Sequence, residues 1–122
     1  MRCVMNDRTI LARELANIFK TLGHADRVRI VEVLRARPLD VQAIAKTLDL
    51  SANRVSQHLA KMRAMHLVAE QRKGRKALYS LTQPDLAHWM TDGLQFLEAR
   101  TAADEVTHKM ISSVRRSMMR SS

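Results

Sequence analysis

The stretch SANRVSQHLAKM, residues 51–62, decides the fold predicted for this chain. Val55, Leu59 and Met62 recur at helical spacing, with Ala52 one turn earlier, so one face of the predicted helix is apolar. The opposite side carries hydrogen-bonding or basic side chains and no carboxylate: Asn53, Arg54, Gln57 and Lys61. The apolar face suits a protein core, and the polar face suits a partner outside that core.

A second short helix precedes this stretch and completes a helix-turn-helix. The segment VQAIAKTL, residues 41–48, places Ile44 and Leu48 on one face and is joined to the next helix by DLS. Ala45 provides the small side chain needed where two helices cross, and Ser51 is suited to cap the helix that follows it. We therefore expect the second helix to be held rigidly with its polar face outward.

The flanking segments predict a winged form of this motif in a single domain spanning residues 1–122. Amphipathic helices are predicted over 9–22 and from Asp26 to just before Pro38. Two short runs rich in Val, Leu and Tyr flank KGRK as a β-hairpin with Gly74 in its turn, and a last helix opens at Pro84. The predicted fold is mostly α-helical, with four helices, the hairpin and a fifth helix, a core from about 9 to 100, and mobile ends at 1–7 and about 115–122.

Charge and composition favour nucleic acid as the partner. The 122 residues include 21 Lys and Arg against 12 Asp and Glu, a formal net charge of +9, which favours polyanions. Seven of the basic residues and one acid lie between Ser51 and Thr82, so most of the excess is concentrated there. Few residues are aromatic, so the core should be aliphatic and methionine-rich. No apolar run approaches the roughly 20 residues that span a bilayer, and no signal peptide is evident, so we expect a cytoplasmic protein without membrane contact.

Amide and guanidinium groups on the outward face are those that read base edges in the major groove of double-stranded DNA. Gln and Asn form two bonds with adenine, Arg forms two with guanine, and Lys mostly contacts phosphate. His58 lies near the apolar edge of its helix, where packing and base contact are equally supported. The predicted DNA contacts are Ser51, Asn53, Arg54, Ser56, Gln57, His58 and Lys61 from the helix, with Arg72, Lys73, Arg75 and Lys76 from the hairpin.

Three segments together resemble the ArsR/SmtB family of dimeric bacterial repressors: LGHADRVRIVEVL (22–34), IAKTLDLSANRVSQHLAKM (44–62) and LVAEQRKGRKALYSL (67–81). The resemblance implies a homodimer formed by the first and last helices, with two recognition helices on successive major grooves of a pseudo-palindromic operator. It also implies repression that an inducer relieves. The interface residues expected from the apolar seams of those helices are Leu11, Leu15, Ile18, Leu86, Met90, Gly93 and Leu97.

The chain departs from the metal-sensing patterns of that family. Asp40 and Gln42 stand where many members have a Cys-x-Cys pair. A second family site begins with an Asp-x-His pair, but here Ala87 occupies the histidine position two residues after Asp85. Weak metal candidates remain on the last helical segments, where a solvated face is the favoured interpretation: Asp85, His88, Asp92, Asp104 and His108. The lone Cys3 is a candidate redox switch, although a spectator thiol is favoured. No cofactor is predicted. The sequence leaves three classes of inducer open: a small molecule, a redox signal or a metal.

An enzyme is not predicted, because three glycines cannot furnish a phosphate-binding loop and the motifs HExxH and GxSxG are absent from the sequence. The alternative to sequence-specific DNA binding is a winged helix used for association with RNA or with an acidic protein. The acid-free face around Asn53, Arg54 and Gln57 favours DNA, because protein association gives no reason for such a face and the major groove of duplex RNA is too narrow for a helix.

Overall fold

The protein folds as a winged helix-turn-helix, described here by a computed structural model over residues 4–100 and 105–120. The predicted combination of helices with one antiparallel hairpin is confirmed. The elements are α1 (Val4–Leu22), α2 (Ala25–Leu34), α3 (Val41–Leu48), α4 (Ala52–Ala64), β1 (Val68–Lys73), β2 (Lys76–Leu81), α5 (Asp85–Asp92), α6 (Leu94–Arg100) and α7 (Glu105–Arg120).

Polar side chains and one left-handed residue define the helix-turn-helix. Asp40 Oδ1 accepts a hydrogen bond from the backbone N–H of Ala43 at 2.8 Å and caps α3. Asp49 ends α3 with φ 56°, a left-handed conformation that aspartate tolerates better than most residues. Ser51 Oγ then accepts from the N–H of Arg54 at 3.1 Å, which confirms the predicted cap of α4. The joint between α3 and α4 is therefore short and conformationally fixed.

The core lies where α2, α3 and α4 meet β1. Among the described residues, the largest fully buried side chains are all aliphatic or methionine, as the composition predicts: Ile30, Val31, Ile44, Val55, Leu59, Met62 and Val68. Burying such side chains contributes roughly 1.5–3 kcal/mol each. The helix-turn-helix is thus built into the core rather than attached to it.

The wing, defined as β1, β2 and the turn between them, has the predicted hairpin form. The two strands pair antiparallel in one-to-one register along their whole length. Gly74, the first of the two turn residues, has φ +64°, which glycine adopts without steric cost. Leu39 and Tyr79 exchange two backbone hydrogen bonds of 2.8 and 3.0 Å, which attach the base of the wing to the loop before α3.

The prediction of one last helix is wrong, because the chain breaks after Asp92. The N–H of Gly93 bonds to the carbonyl of Met90, three residues back, and closes α5 in a tight turn before α6 begins. A Cβ at position 93 would lie 3.1 Å from that same carbonyl oxygen, so the missing side chain favours this tight ending. The apolar seam predicted along that one helix is therefore divided between α5 and α6.

The terminal helices also extend beyond the predicted core of 9–100. α1 begins at Val4, so residues 4–7 are helical, and α7 reaches Arg120. Met118 is buried and its backbone carbonyl accepts a hydrogen bond from Arg35. Arg115 in α7 also forms a 2.9 Å ion pair with Glu98 in α6. These contacts join α7 to the rest of the fold, which the basic composition of the C-terminal sequence did not indicate.

None of the helices within residues 4–100 and 105–120 combines the length and the apolar character needed to cross a membrane.

Candidate nucleic-acid interface

The recognition helix α4 exposes the polar face that the sequence predicts. Val55, Leu59 and Met62 are completely buried, which fixes the rotation of the helix about its axis. With those side chains inward, the exposed residues of the predicted contact set are Ser51, Asn53, Arg54, Ser56, Gln57 and Lys61. No acid occurs within α4, so the exposed side offers hydrogen-bond donors and positive charge without a competing carboxylate of its own.

The wing extends this cationic surface. Arg72, Lys73, Arg75 and Lys76 are all exposed around its turn. Lys76 Nζ lies 3.6 Å from Asp40 Oδ2, but the lysine side chain is 73% exposed, so this pair adds little to stability. Glu70, the one acid between Ser51 and Thr82, pairs with Arg63 at 2.6 Å and is thereby neutralised. The surface formed by α4 and the wing is therefore strongly positive and suited to a phosphate backbone.

A polar cluster behind the recognition helix was not predicted from the sequence. We call it the Asp26 cluster, and its members are His24, Asp26, Arg27, Arg54 and His58. Asp26 Oδ2 lies 2.9 Å from Arg54 Nη2 and 3.1 Å from His58 Nε2. Arg27 Nε donates to His58 Nδ1 at 3.1 Å. The cluster therefore joins the first turn of α2 to the recognition helix.

For His58 the structure favours packing over the predicted DNA contact. Its side chain is only 9% exposed and faces Asp26 rather than the outward side of α4. The physical reason is its place beside Leu59 on the inward side of α4, where burial requires a hydrogen-bonding partner. Packing, the other interpretation supported by the sequence, is the observed one.

Burial and neighbouring charges shift the pKa values in this cluster. Burial lowers the pKa of His58, and the nearby His24 and Arg27 lower it further, which outweighs the opposing hydrogen bond to Asp26. Burial alone would raise the pKa of Asp26, but the hydrogen bond from His58 and the positive charge of Arg54 bring it below its ordinary value. At neutral pH the imidazole of His58 is therefore neutral and the carboxylate of Asp26 is ionised.

These shifts predict that acid destabilises the fold. The unfolded chain protonates His58 near its ordinary pKa of about 6.5, whereas the folded protein does so only at lower pH. Unfolding therefore takes up a proton, and the free energy of unfolding should fall as the pH decreases from about 6.5 through the folded pKa. The stability contributed by ionised Asp26 should be lost at still lower pH, as the pH falls through the lowered pKa of that carboxyl.

Urea denaturation between pH 8 and pH 5 tests this expectation on the unchanged protein and on His58→Gln. The glutamine amide can still donate to Asp26 but does not titrate, and the other four of the five histidines are common to both proteins. We expect a shallower loss of stability in the variant. Parallel pH profiles would contradict the assigned pKa direction.

The Asp26 cluster is not well arranged for a metal ion. Within residues 4–100 and 105–120, His24, Asp26 and His58 form the one metal-ligating group of three whose ligand atoms lie within 4.8 Å of one another. Because Arg27 donates to Nδ1 of His58, the proton of the neutral ring sits on Nε2, the atom that faces Asp26. Metal binding through Nε2 would move that proton to Nδ1, against the N–H of Arg27. The guanidinium of Arg54 would also compete for Asp26.

The metal candidates predicted from the sequence do not converge. Asp85, His88 and Asp92 are exposed, and the closest approach of His88 to Asp92 is 4.0 Å. Nδ1 of His108 lies 3.4 Å from the backbone carbonyl of Glu98. Asp104 and the redox candidate Cys3 lie outside the described residues.

An apolar surface runs along α1, α5 and α6 on the described chain. The exposed apolar side chains include Leu11, Leu15, Phe19, Trp89, Phe96 and Leu97. Phe19 and Trp89 stack with ring centroids 5.5 Å apart and lie beside an open cleft of about 810 Å³. Of the remaining residues predicted for an interface, Ile18, Leu86 and Met90 are half-buried against the core, and Gly93 is exposed. Exposed apolar patches of this kind mark interaction surfaces in soluble proteins.

A rigid helix-turn-helix, an acid-free outward helix and a cationic wing define a winged helix-turn-helix DNA-binding regulator. The family described as "Bacterial regulatory protein, arsR family" matches residues 24–70. The HTH-type transcriptional regulator Rv0081 of Mycobacterium tuberculosis is 35% identical over 92 residues, which cover 75% of this chain and 80% of that relative. This chain belongs to the ArsR family, so the resemblance of its motifs is confirmed, and the family consists of transcriptional regulators rather than enzymes.

Other comparisons agree with this assignment. The transcriptional repressor PagR of Bacillus anthracis is 37% identical over 70 residues, covering 57% of this chain and 70% of PagR. The crystal structure of Rv0081 superposes with a TM-score of 0.67 at 34% identity and covers 79% of this chain and 96% of that one. The crystal structure of NolR from Sinorhizobium fredii gives a TM-score of 0.68 at 26% identity, covering 80% and 96%.

Proposed function

We propose that this ArsR-family regulator is a homodimeric repressor that binds a pseudo-palindromic operator and is released by a signal in the cytoplasm. The observation that carries the proposal is the acid-free face of α4, held outward by a buried apolar face and flanked by the cationic wing. Blocking a promoter requires both sequence preference and affinity, and these two surfaces supply them separately.

The recognition helix provides the sequence preference in this proposal. Asn53, Arg54 and Gln57 are exposed and carry the amide and guanidinium groups that form paired hydrogen bonds with base edges. Ser51 lies at the helix N-terminus, where backbone N–H groups and the helix dipole favour a phosphate. Lys61 and the four basic residues of the wing contribute to affinity through the phosphate backbone.

The apolar surface of α1, α5 and α6 provides the dimer contact in this proposal. Leu11, Leu15 and Leu97 project from it, and the adjoining cleft would be filled by the same surface of a second copy. A two-fold interface places two recognition helices about one DNA turn apart, which matches a pseudo-palindromic operator.

The releasing signal is open among three chemical classes. A small organic molecule could compete with the second copy for the apolar cleft beside Trp89. A redox signal would act through Cys3. A metal would have to draw together the imidazoles and carboxylates of the last helices, which do not converge in this structure. Screening by release from labelled operator would separate these classes.

Two substitutions should separate base reading from phosphate contact. Gln57→Ala is expected to reduce discrimination between operator and scrambled DNA by about 1–3 kcal/mol, because it removes a paired hydrogen bond to one base. Lys73→Ala is expected to weaken both duplexes alike and to lower the salt slope by about one. Fluorescence anisotropy across a salt series, on the duplex upstream of the protein's own gene and a scrambled duplex, measures both effects.

Lys20→Ala is the matched charge control, because this exposed lysine belongs to α1 and not to α4 or the wing. Similar losses on both duplexes for Gln57→Ala and Lys73→Ala would reject the division of roles. Equal, weak binding of both duplexes by the unchanged protein would favour non-specific association with RNA or protein.

A further inference from the structure

We propose that Asp26 is a specificity-determining positioning residue, which holds the Arg54 guanidinium in place for one base pair of the operator. This inference rests on the proposed function, since it assigns a partner to a residue of the base-reading face. Asp26 belongs to α2, outside the helix-turn-helix, and does not itself need to touch DNA. It acts through the 2.9 Å ion pair between its Oδ2 and Arg54 Nη2.

The exposures of the two side chains support this division of labour. The Arg54 side chain is 55% exposed, whereas that of Asp26 is only 17% exposed. One terminal nitrogen of the guanidinium faces the carboxylate, and the group has further N–H donors that the ion pair does not use. The arginine can therefore be held by Asp26 and still present donors to guanine.

Asp26 is itself held by a chain of hydrogen bonds that reaches back to α1. His58 Nε2 lies 3.1 Å from Asp26 Oδ2, and the opposite ring nitrogen accepts from Arg27 Nε at 3.1 Å. Arg27 Nη1 in turn donates to the carbonyl of Thr21 at 2.8 Å. Because each member is fixed by the next, the Arg54 side chain has less rotamer freedom to lose on binding DNA.

The negative charge of Asp26 adds to discrimination. An arginine without this partner is free to follow any nearby phosphate, which increases affinity for every sequence. A carboxylate beside the groove also repels the DNA backbone unless Arg54 neutralises it. Removing the charge should therefore raise the affinity for scrambled DNA. At the same time, it should lower the ratio of operator affinity to scrambled affinity.

The test is Asp26→Asn in the full chain, measured by anisotropy on operator, on operators with single base-pair changes, and on a scrambled duplex. We expect the ratio of operator to scrambled affinity to fall about tenfold, within the range of one paired base contact. Affinity for scrambled DNA should rise about twofold. The lost preference should map to the same base pair as that of Arg54→Ala, and the double variant should lose no more than Arg54→Ala alone.

Glu105→Gln is the matched control, because it removes an equal charge from an exposed position on α7, outside the proposed DNA and dimer surfaces. If Asp26 only stabilised the fold, Asp26→Asn would lower the melting temperature and weaken both duplexes with an unchanged ratio, and that result would overturn the proposal. Equal binding of both duplexes by the unchanged protein would instead overturn the proposed function and this inference together. Release of the unchanged protein by Zn²⁺ or Ni²⁺, but not of His24→Ala, would reassign the cluster to metal and also overturn it.

Discussion

Replacing Leu11 by glutamate is expected to produce a monomer and to lower affinity for the full operator about 100-fold or more. Leu11 is 67% exposed on the apolar surface of α1, so the change places a carboxylate where a second copy would bury it. Without dimerisation, the two recognition helices lose the gain in affinity that comes from linking two binding sites, typically 10²–10⁴-fold. Sedimentation at micromolar concentration and anisotropy on the operator measure the two effects.

Asn17→Glu is the matched control for charge and helix. Asn17 is also exposed on α1 but lies on the other side of the helix from Leu11 and Leu15. This variant should remain a dimer and keep operator affinity. A dimeric Leu11→Glu protein, or two variants that lose affinity equally, would show that α1 does not form the interface through this face.

Replacing Ile44 by alanine should lower the free energy of unfolding by about 2–5 kcal/mol. Ile44 is completely buried at the junction of α3 with the core, and the loss combines the transfer of the deleted atoms with the cavity that remains. This is a large fraction of the roughly 5–15 kcal/mol that stabilises a typical domain. Urea midpoints at constant protomer concentration provide the measurement, since dimerisation also contributes to stability.

Lys46→Ala in the same helix serves as the control, because Lys46 is exposed and alanine is a better helix former. Its midpoint should change little. A cost for Ile44→Ala below about 1 kcal/mol would contradict the placement of α3 in the core.

Local signals in the sequence were sufficient for much of the fold. The helix at 41–48, the cap at Ser51 and the turn at Gly74 all depend on residues a few positions apart, and the structure places them as predicted. The acid-free helix face could also be predicted from the sequence. Val55 and Leu59 are buried, so the polar side chains on the opposite face must point outward. Periodicity is reliable where a short segment determines its own conformation.

The features that were missed depend on contacts between distant parts of the chain or on small energy differences. Asp26 and His58 are 32 residues apart, and no local pattern indicates that they meet. Gly93 within a helix costs only about 1 kcal/mol relative to alanine, so an apolar seam through it predicts a continuous helix as readily as a broken one. Long-range contacts decided the first case, and the tight local turn at Gly93 decided the second.

Because of the Asp26 cluster, the DNA sequence preference of this chain depends on residues outside the recognition helix as well as within it. A chimera that carries residues 51–62 in another scaffold would keep Gln57 but lose the carboxylate that holds Arg54, so helix grafting would transfer only part of the preference. Conversely, a change at position 26 could alter the preferred operator while the recognition helix stays identical. Two paralogues with the same residues 51–62 could in this way diverge in the promoters they occupy.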